Sequence, residues 1–282
     1  MEQEKDGLAV RFLYHTAFGR VVLRLLSARF CSVVAGRFLS SALSRPMVRP
    51  FMNKYGICRA DYQKQFFESF NDFFCRAIRP ECRPVDHRPE AFISPADGLL
   101  SVYRIEDGTV LPIKQSHYSI SDLLGNDPIS ARYQQGYCLV FRLRKNDYHH
   151  YCYVDDGTKN NNTFISGVLH TVRPIALRRF PVFVRNCRSY TIMETAHFGT
   201  ITQVEIGALL VGKITNLHDS GAFKKGQDKG WFEFGGSTVV LLVEPDTIRL
   251  DPTFSEDINS GKEYPVQFGQ CVAMAVNETV NA

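Results

Sequence analysis

The chain has 282 residues, of which 44% are hydrophobic and 22% are charged, and its formal net charge is +4. This composition is ordinary for a globular protein, and the length is enough for one or two domains with a sizeable core. No uncharged apolar run reaches the roughly 18 residues that a membrane-spanning helix needs, so we predict that the chain does not cross a membrane.

Positive charge is concentrated near the start of the chain. Residues 7–60 contain nine Arg and Lys and no Asp or Glu, an asymmetry that favours an anionic partner, either nucleic acid or an acidic membrane surface. The eight cysteines are scattered without a C-x-x-C pair. In a chain of this length they indicate free thiols in a reducing compartment and not a disulfide framework.

The first part of the chain is predicted to be helical. Residues 8–43 carry apolar side chains at helical spacing, with arginines that do not all fall on one face. Such a helix fits one face on the protein and another in a headgroup layer, and a core helix with solvated arginines remains the alternative. The phenylalanine-rich residues 61–78 predict a second helix, and three prolines between residues 80 and 89 mark a boundary after it.

Beyond residue 92 the pattern favours β-structure. Short apolar or alternating runs separated by Gly, Asp and Asn predict strands at residues 99–105, 137–143, 151–154, 190–193, 201–206, 209–214 and 239–243, with a short helix at 119–124. The sequence therefore predicts an α+β protein. Residues 1–80 would form a helical, basic, membrane-associating region, and residues 81–282 a mostly antiparallel β domain.

Paired glycines stand directly before the last of these strands, in Gly235-Gly236-Ser237-Thr238. On these residues alone two readings stay open. One is a glycine bulge followed by an ordinary strand serine. The other is a serine that attacks its own preceding peptide bond, because glycines accept strained backbone conformations and a base can activate a hydroxyl.

Three further segments could carry chemistry. Residues 94–98, Ser-Pro-Ala-Asp-Gly, are typical of a turn. Residues 147–152, Asp-Tyr-His-His-Tyr-Cys, place His149 and Cys152 on opposite faces of a predicted strand, so we predict no metal site. Residues 207–214 nearly match a phosphate-binding loop, but isoleucine replaces the hydroxyl residue that holds magnesium, and we predict no nucleotide site there.

Taken in order, these segments resemble the phosphatidylserine decarboxylases, which make their own pyruvoyl cofactor. The resemblance rests on Phe70-Asn71-Asp72-Phe73-Phe74, Arg83-Pro84-Val85-Asp86, Ser94–Gly98, Asp147-Tyr148-His149 and Gly235–Thr238. These correspond to the family's S-F-N-D-F-F, R-P-I-D, S-P-x-D-G and D-Y-H segments and to the type II G-G-S-T cleavage motif.

The resemblance implies a self-cleaving precursor. Ser237 Oγ would attack the carbonyl of Gly236, and the chain would split into a β chain of residues 1–236 and an α chain of residues 237–282. Ser237 would become the pyruvoyl group, which forms a Schiff base with the substrate and acts as the electron sink, as pyridoxal phosphate does elsewhere. The cleavage machinery is expected to lie wholly in the β domain.

The family also assigns roles to an aspartate and two histidines. Asp97 would orient a charged histidine, as in a serine-protease triad, and His149 would handle the proton of decarboxylation. The usual motif is D-Y-H-x-x-H, but Cys152 takes the place of its second histidine. Either His149 serves both steps or His170 fills the gap. A turn at residues 155–162 would pair its flanking strands as a hairpin and bring position 170 opposite position 152.

The implied partners are phosphatidylserine, an anionic membrane surface and the two chains of one precursor, with no nucleic acid and no metal. The protein would lie peripherally on the cytoplasmic face of the cell membrane, and a homodimer is one option for its assembly. Arg185, Arg188 and Lys213 are candidates for binding the lipid phosphate. Two alternatives stay open: a soluble pyruvoyl-dependent decarboxylase of a free aromatic amino acid, and a lipid-binding β protein that no longer cleaves itself.

Overall fold

The computed structural model describes residues 12, 16, 29–106, 110–113, 116–168, 182–207, 213–234 and 237–276. Most of the described residues belong to antiparallel β-structure with a few short helices, so the α+β prediction is confirmed. Of the helix predicted over residues 8–43, the part at Arg29–Leu39 is an α-helix, and the part before residue 29 lies outside the described range apart from residues 12 and 16. Its association with a membrane stays a prediction. No helix in the described part of the chain is both long and apolar enough to span a membrane.

The largest sheet among the described residues has nine antiparallel strands. In order across the sheet they are β12 (Gly221–Phe223), β7 (Gly157–Lys159), β9 (Arg188–Thr195), β10 (Thr200–Gly207), β14 (Ser237–Val243), β5 (Tyr137–Leu143), β2 (Gly98–Arg104) and β16 (Tyr264–Val266), and β8 (Thr163–Ile165) also pairs with β9. All seven residues of β14 are buried, which confirms the prediction of a strand covered on both faces.

Three smaller sheets complete the β-structure that the structure describes. They comprise β11 (Ile214–Asn216), β13 (Asp228–Phe232) and β6 (His150–Cys152); β1 (Ala91–Ile93), β17 (Cys271–Ala275) and β15 (Ile248–Leu250); and the pair β3 (Val110–Ile113) and β4 (Ser116–Ser119). The first of these sheets matters most for the site, because β6 follows the D-Y-H segment and β13 leads into the G-G-S-T segment.

The described α-helices are α1 (Arg29–Leu39), α2 (Val48–Tyr55), α3 (Phe70–Phe74), α4 (Ile120–Leu123), α5 (Val182–Arg185) and α6 (Pro252–Ser255). The predicted helix at residues 61–78 is wrong over most of its length. The side chain of Ser69 caps α3 by accepting a hydrogen bond from the Asp72 amide. Tyr62 and Ile78 form an antiparallel bridge instead. Four of the phenylalanines in this segment are buried in the core, at positions 67, 70, 73 and 74, without forming one face of a long helix.

A second correction concerns the hairpin predicted around residues 155–162. The strands on either side of it do not pair with each other, since β6 pairs with β13 while β7 and β8 pair with β9. The reason is that Gly157–Lys159 is itself a strand of the large sheet, so the chain crosses from one sheet to another here. The predicted route for His170 is therefore wrong, and His170 itself lies outside the described residues.

The helical region has its own hydrophobic cluster. Its buried members are Leu39, Val48, Met52, Phe67, Phe70, Phe73 and Phe74, and Phe51, Ile57 and Phe234 pack against it. The fully buried Ser44 ties this region together, since its Oγ accepts a hydrogen bond from the Phe70 amide at 2.9 Å. Phe234 belongs to the segment before β14, so the cluster reaches the cleavage motif. The domain division at residue 80 stays a prediction.

Candidate active site

Ser237 is the first residue of β14 and is fully buried. It lies opposite Gly207 of β10 on one side and Leu143 of β5 on the other. Its Oγ has no hydrogen-bond partner among the described residues. A buried hydroxyl without a partner is costly, and the neighbouring Thr238 hydroxyl likewise has none among the described residues. Gly235 and Gly236, the other members of the motif, lie outside the described residues.

His149 lies directly before β6 and is also fully buried. Its Nδ1 is 2.9 Å from the carbonyl oxygen of Asp147. A carbonyl oxygen can only accept, so Nδ1 carries the hydrogen and Nε2 is the nitrogen that can take up a proton. The Asp147 carboxylate in turn accepts hydrogen bonds from the Arg144 amide and guanidinium. Burial raises the pKa of Asp147, and Arg144 opposes that shift.

Phe74 connects His149 with the cleavage segment. Its ring centroid is 4.0 Å from that of His149 and 5.2 Å from that of Phe234, which precedes Ser237 by three residues. The Phe234 amide also donates to Asn71 Oδ1 at 3.1 Å. The helix α3 thus contacts both His149, the candidate proton carrier, and the segment that precedes Ser237. The expectation that the cleavage machinery lies wholly in the β domain stays a prediction, and α3 contacts two residues next to that machinery, His149 and Phe234.

Asp97 has a partner that the sequence analysis missed. The Arg83 guanidinium donates to both of its carboxylate oxygens, with Nη2–Oδ2 at 2.6 Å and Nε–Oδ1 at 2.8 Å. The Phe268 amide donates to Oδ1 at 2.8 Å. No histidine in the described part of the chain hydrogen-bonds to Asp97. Two motifs of the resemblance, R-P-V-D and S-P-A-D-G, thus meet in space. The presence of Arg83 in one of these motifs was the only indication in the sequence that it belongs to the site.

Cys152 occupies the position of the missing second histidine. It is fully buried in β6, where its amide donates to the Pro95 carbonyl at 2.9 Å and its Sγ lies 4.0 Å from the Ser94 carbonyl oxygen. Burial raises the pKa of the Cys152 thiol well above its ordinary value. The thiol therefore stays protonated at neutral pH and cannot replace a histidine as a base.

Two of the three phosphate candidates are already engaged in other contacts. Arg188 is buried, and its guanidinium donates to the main-chain carbonyls of Leu123, Asp122 and Val184, each at 2.7 Å. It is therefore wrong as a phosphate-binding candidate. Lys213 is exposed and its Nζ lies 3.6 Å from Glu233 Oε1, so it remains accessible to an anion.

Sequence comparison identifies the family. The phosphatidylserine decarboxylase profile matches residues 70–273. Phosphatidylserine decarboxylase proenzyme 2 of Clostridium acetobutylicum is 42% identical over 270 residues, covering 95% of this chain and 92% of the relative. The proenzymes of Clostridium perfringens and Chlamydia muridarum are 35% and 36% identical, over 96% and 94% of this chain and 95% and 90% of their own lengths.

These matches cover nearly the whole chain and include every motif on which the resemblance rests. The chain belongs to the phosphatidylserine decarboxylase family, as the sequence analysis expected.

Proposed function

We propose that this chain is a proenzyme that cuts itself between Gly236 and Ser237 and then decarboxylates phosphatidylserine to phosphatidylethanolamine and CO2. The observation that carries the proposal is the buried Ser237 hydroxyl, without a hydrogen-bond partner among the described residues, at the first position of β14. The relatives' names support it, since they are called proenzymes of this activity.

Self-cleavage uses groups of the chain itself. A base removes the Ser237 hydroxyl proton, Oγ attacks the Gly236 carbonyl carbon, and the peptide becomes an ester. Elimination across Cα and Cβ of residue 237 releases the Gly236 carboxylate, and hydrolysis releases ammonia. The products are a β chain of residues 1–236 and an α chain of residues 237–282. The β14 ladder holds Ser237 in place, which favours an intramolecular attack.

Position 237 fits a pyruvoyl group. The serine hydroxyl there is already buried, and the facing Gly207 adds no side chain. When formed, the pyruvoyl carbonyl supplies the electron sink that the leaving carboxylate requires. His149 is the proposed proton carrier for this step, because Asp147 fixes its Nδ1 hydrogen and leaves Nε2 for proton exchange. Phe74 and Phe234 keep its surroundings apolar.

The base for self-cleavage stays a proposal, with His149 and His170 as the candidates and Asp97 as the orienting group. One observation supports His170. Val168 accepts from the Cys187 amide, Cys187 accepts from the Gly207 amide, and Gly207 faces Ser237. Val168, two residues before His170 in the sequence, is thus linked by two successive main-chain hydrogen bonds to the residue opposite Ser237.

Self-cleavage of His149→Ala, His170→Ala and Asp97→Ala, each measured alone, tests these roles. Loss of cleavage supports the role of the residue concerned. Complete cleavage in His170→Ala would remove His170 from the mechanism. Complete cleavage in Asp97→Ala would leave Asp97 a structural role through its hydrogen bonds with Arg83 and the Phe268 amide.

The decarboxylation itself is tested with purified, cleaved protein and vesicles containing phosphatidylserine. We expect release of CO2 that is abolished by borohydride in the presence of substrate, because the essential carbonyl is reduced together with the bound amine. Activity that survives this treatment and requires added pyridoxal phosphate would contradict the pyruvoyl proposal. Release of CO2 from a free aromatic amino acid, but not from the lipid, would favour the soluble alternative.

We also propose that the helical region contacts an anionic membrane. Among its described residues, the exposed large hydrophobic side chains include Val34, Phe38, Leu43, Met47 and Phe66. Exposed arginines lie among them at positions 37, 45 and 49, and the Arg45 guanidinium lies 4.2 Å from the centroid of the Phe66 ring. Apolar side chains mixed with cations are what an interfacial surface requires.

Vesicle flotation tests this surface. We expect binding to vesicles with anionic lipid that weakens but does not vanish as salt rises, since salt screens only the electrostatic part. Leu43→Ser with Phe66→Ser should reduce binding. The matched control is Phe164→Ser, which changes an equally exposed phenylalanine on β8. Equal effects of the two proteins, or equal binding to neutral vesicles at all salt concentrations, would contradict this proposal.

A further inference from the structure

His150, the neighbour of the proposed proton carrier, has an acceptor at each ring nitrogen. Its Nδ1 lies 2.7 Å from Asp228 Oδ2, and its Nε2 lies 3.1 Å from the main-chain carbonyl oxygen of Cys75. A carboxylate and a carbonyl can only accept hydrogen bonds, so both nitrogens must carry hydrogen. Both hydrogen bonds can therefore form together only when the His150 ring is an imidazolium cation.

The two acceptors belong to the two elements that surround His149. Cys75 is the C-cap of α3, directly after Phe74, whose ring packs against that of His149 at a tilt of 43°. Asp228 begins β13, which ends at Phe232, and the Phe232 amide donates to the His149 carbonyl at 3.0 Å. The His150 cation therefore joins the helical region to the strand that leads into the cleavage segment.

The ring of His150 is itself tightly placed. It stacks on Tyr148 with centroids 4.8 Å apart and planes 7° from parallel, and on Trp231 with centroids 5.4 Å apart and planes 29° from parallel. These two aromatic faces fix the ring plane, so its nitrogens point along the line between Cys75 and Asp228. Aromatic faces also favour a cation over a neutral ring.

We propose that His150 is a positioning residue that acts, as a cation, through Phe74 and His149 on the reactions at residue 237. The inference rests on the function proposed above. A neutral imidazole has one donor and can keep only one of the two hydrogen bonds. Loss of the proton therefore breaks the hydrogen bond of His150 either to Cys75, at the end of α3, or to Asp228 of β13. The elements around His149 are then less firmly held together, and the contact with Phe74 no longer fixes the His149 ring. Self-cleavage should slow as pH rises through the range in which histidine loses its proton.

The other titratable groups around His150 stay unchanged over that range. Burial raises the pKa of the Tyr148 phenol and raises the pKa of the Cys75 thiol to about 12. Cys152, opposite Asp228 in the β6–β13 pair, has a thiol pKa raised by burial as well. His149 is the adjacent histidine in the chain, so the test must separate the two histidines.

The test measures the rate of self-cleavage of freshly synthesised precursor between about pH 6 and about pH 9. We compare wild type with His150→Arg, whose guanidinium stays charged and can donate in both directions, and with His150→Gln, which is neutral. Wild type should slow at high pH. In His150→Arg the rate of self-cleavage should fall much less at high pH than in wild type. The Gln variant should be about tenfold slower or more at low pH, as expected for a lost hydrogen bond to a charged group.

Asp228→Asn provides a second route, since its partly exposed side chain makes a folding defect less of a concern. Without the carboxylate the imidazolium is less stable, so the decline should move to lower pH. His197→Gln is the matched control, because His197 also pairs with a carboxylate, that of Asp155, with Nδ1–Oδ1 at 3.0 Å, but contacts neither α3 nor β13 among the described residues. Its profile should match wild type.

The proposal is overturned if wild type and the Arg variant decline alike with pH while Asp228→Asn leaves the profile where it was. The decline would then belong to His149 or to the reaction itself. Failure of the proposed function looks different, since the wild-type precursor would then stay uncut at every pH.

Discussion

The strand that carries Ser237 and the helix α3 that packs against His149 are held in different ways. Along its whole length β14 pairs in unbroken register with β10 and β5, so Ser237 is placed by main-chain hydrogen bonds. The five-residue α3 is held by aromatic contacts, by Ser44 and by Asn71. The position of the proposed nucleophile is thus set by a backbone ladder, and the position of the proposed proton carrier depends on side chains from distant parts of the chain.

This difference has a consequence for mutants. Changes in the sheet should act mainly on the free energy of unfolding. The main-chain ladder keeps Ser237 in place even when a single side chain is altered. Changes in α3 should act on the rate of chemistry out of proportion to their effect on stability. Measuring the free energy of unfolding and the rate of self-cleavage in the same variants distinguishes the two effects.

The largest effect is expected from the ion pair between Lys229 and Glu205. Both side chains are fully buried, and Lys229 Nζ donates to Glu205 Oε1 at 2.7 Å and to Asn216 Oδ1 at 2.9 Å. Burial lowers the pKa of Lys229, and Glu205 opposes this. Lys229→Met leaves a buried carboxylate without its cation, which should cost about 3–5 kcal/mol. Denaturant unfolding of uncleaved Ser237→Ala protein measures it.

The double variant Glu205→Leu with Lys229→Met is the control for that experiment. Replacing both charges by apolar groups of similar size is often neutral or stabilising. We expect most of the lost stability to return, together with self-cleavage in the Ser237 background. A double variant that remains as unstable as Lys229→Met, or that folds but does not cleave, would give the pair a role beyond the stability of the sheet.

An intermediate effect is expected from Phe74→Leu compared with Phe67→Leu. Both residues are buried in the same cluster, but only Phe74 touches His149 and Phe234; Phe67 contacts Phe73 at 5.3 Å. Each change should cost about 1–1.5 kcal/mol of stability. Only Phe74→Leu should slow self-cleavage. Equal slowing in the two variants would show that the rate of self-cleavage follows stability, and would contradict a specific effect of α3 on the chemistry.

The smallest effect is expected at the surface of α3. Lys64 Nζ lies 2.7 Å from Asp72 Oδ2, and both side chains are partly exposed. Lys64→Met should cost at most about 1 kcal/mol, because exposed ion pairs contribute little, and should leave the rate of self-cleavage unchanged. A clear loss of rate would mean that the orientation of α3 depends on this pair as well as on its buried aromatic residues.

The sequence predicts the sheet far better than the helical region, for a physical reason. The limits of β5 match the predicted residues 137–143, and β14 contains the predicted residues 239–243. Both runs are apolar and bounded by turns, so their structure follows from local pattern. The short helix α4 lies within the predicted residues 119–124, where Ser119 provides the N-cap.

The contacts around the site could not be predicted in this way. The Arg83–Asp97 pair, the ring contact of Phe74 with His149 and the partners of His150 each join residues from separate segments of the chain. No local spacing encodes such pairs. The family motifs indicated which segments matter, but not which side chains would meet. His170, Gly235 and Gly236 lie outside the described residues, so their predicted roles depend on experiment.

The central claim is that Ser237 becomes the first residue of a separate chain. The most direct measurement is the intact mass of the purified protein, compared with Ser237→Ala. We predict two polypeptides, of residues 1–236 and 237–282, the shorter starting with a carbonyl group that a hydrazine reagent labels, and a single chain near 32.0 kDa for the variant. A single uncut chain in the wild type, or a shorter chain that begins elsewhere or carries a free amine, would contradict the account.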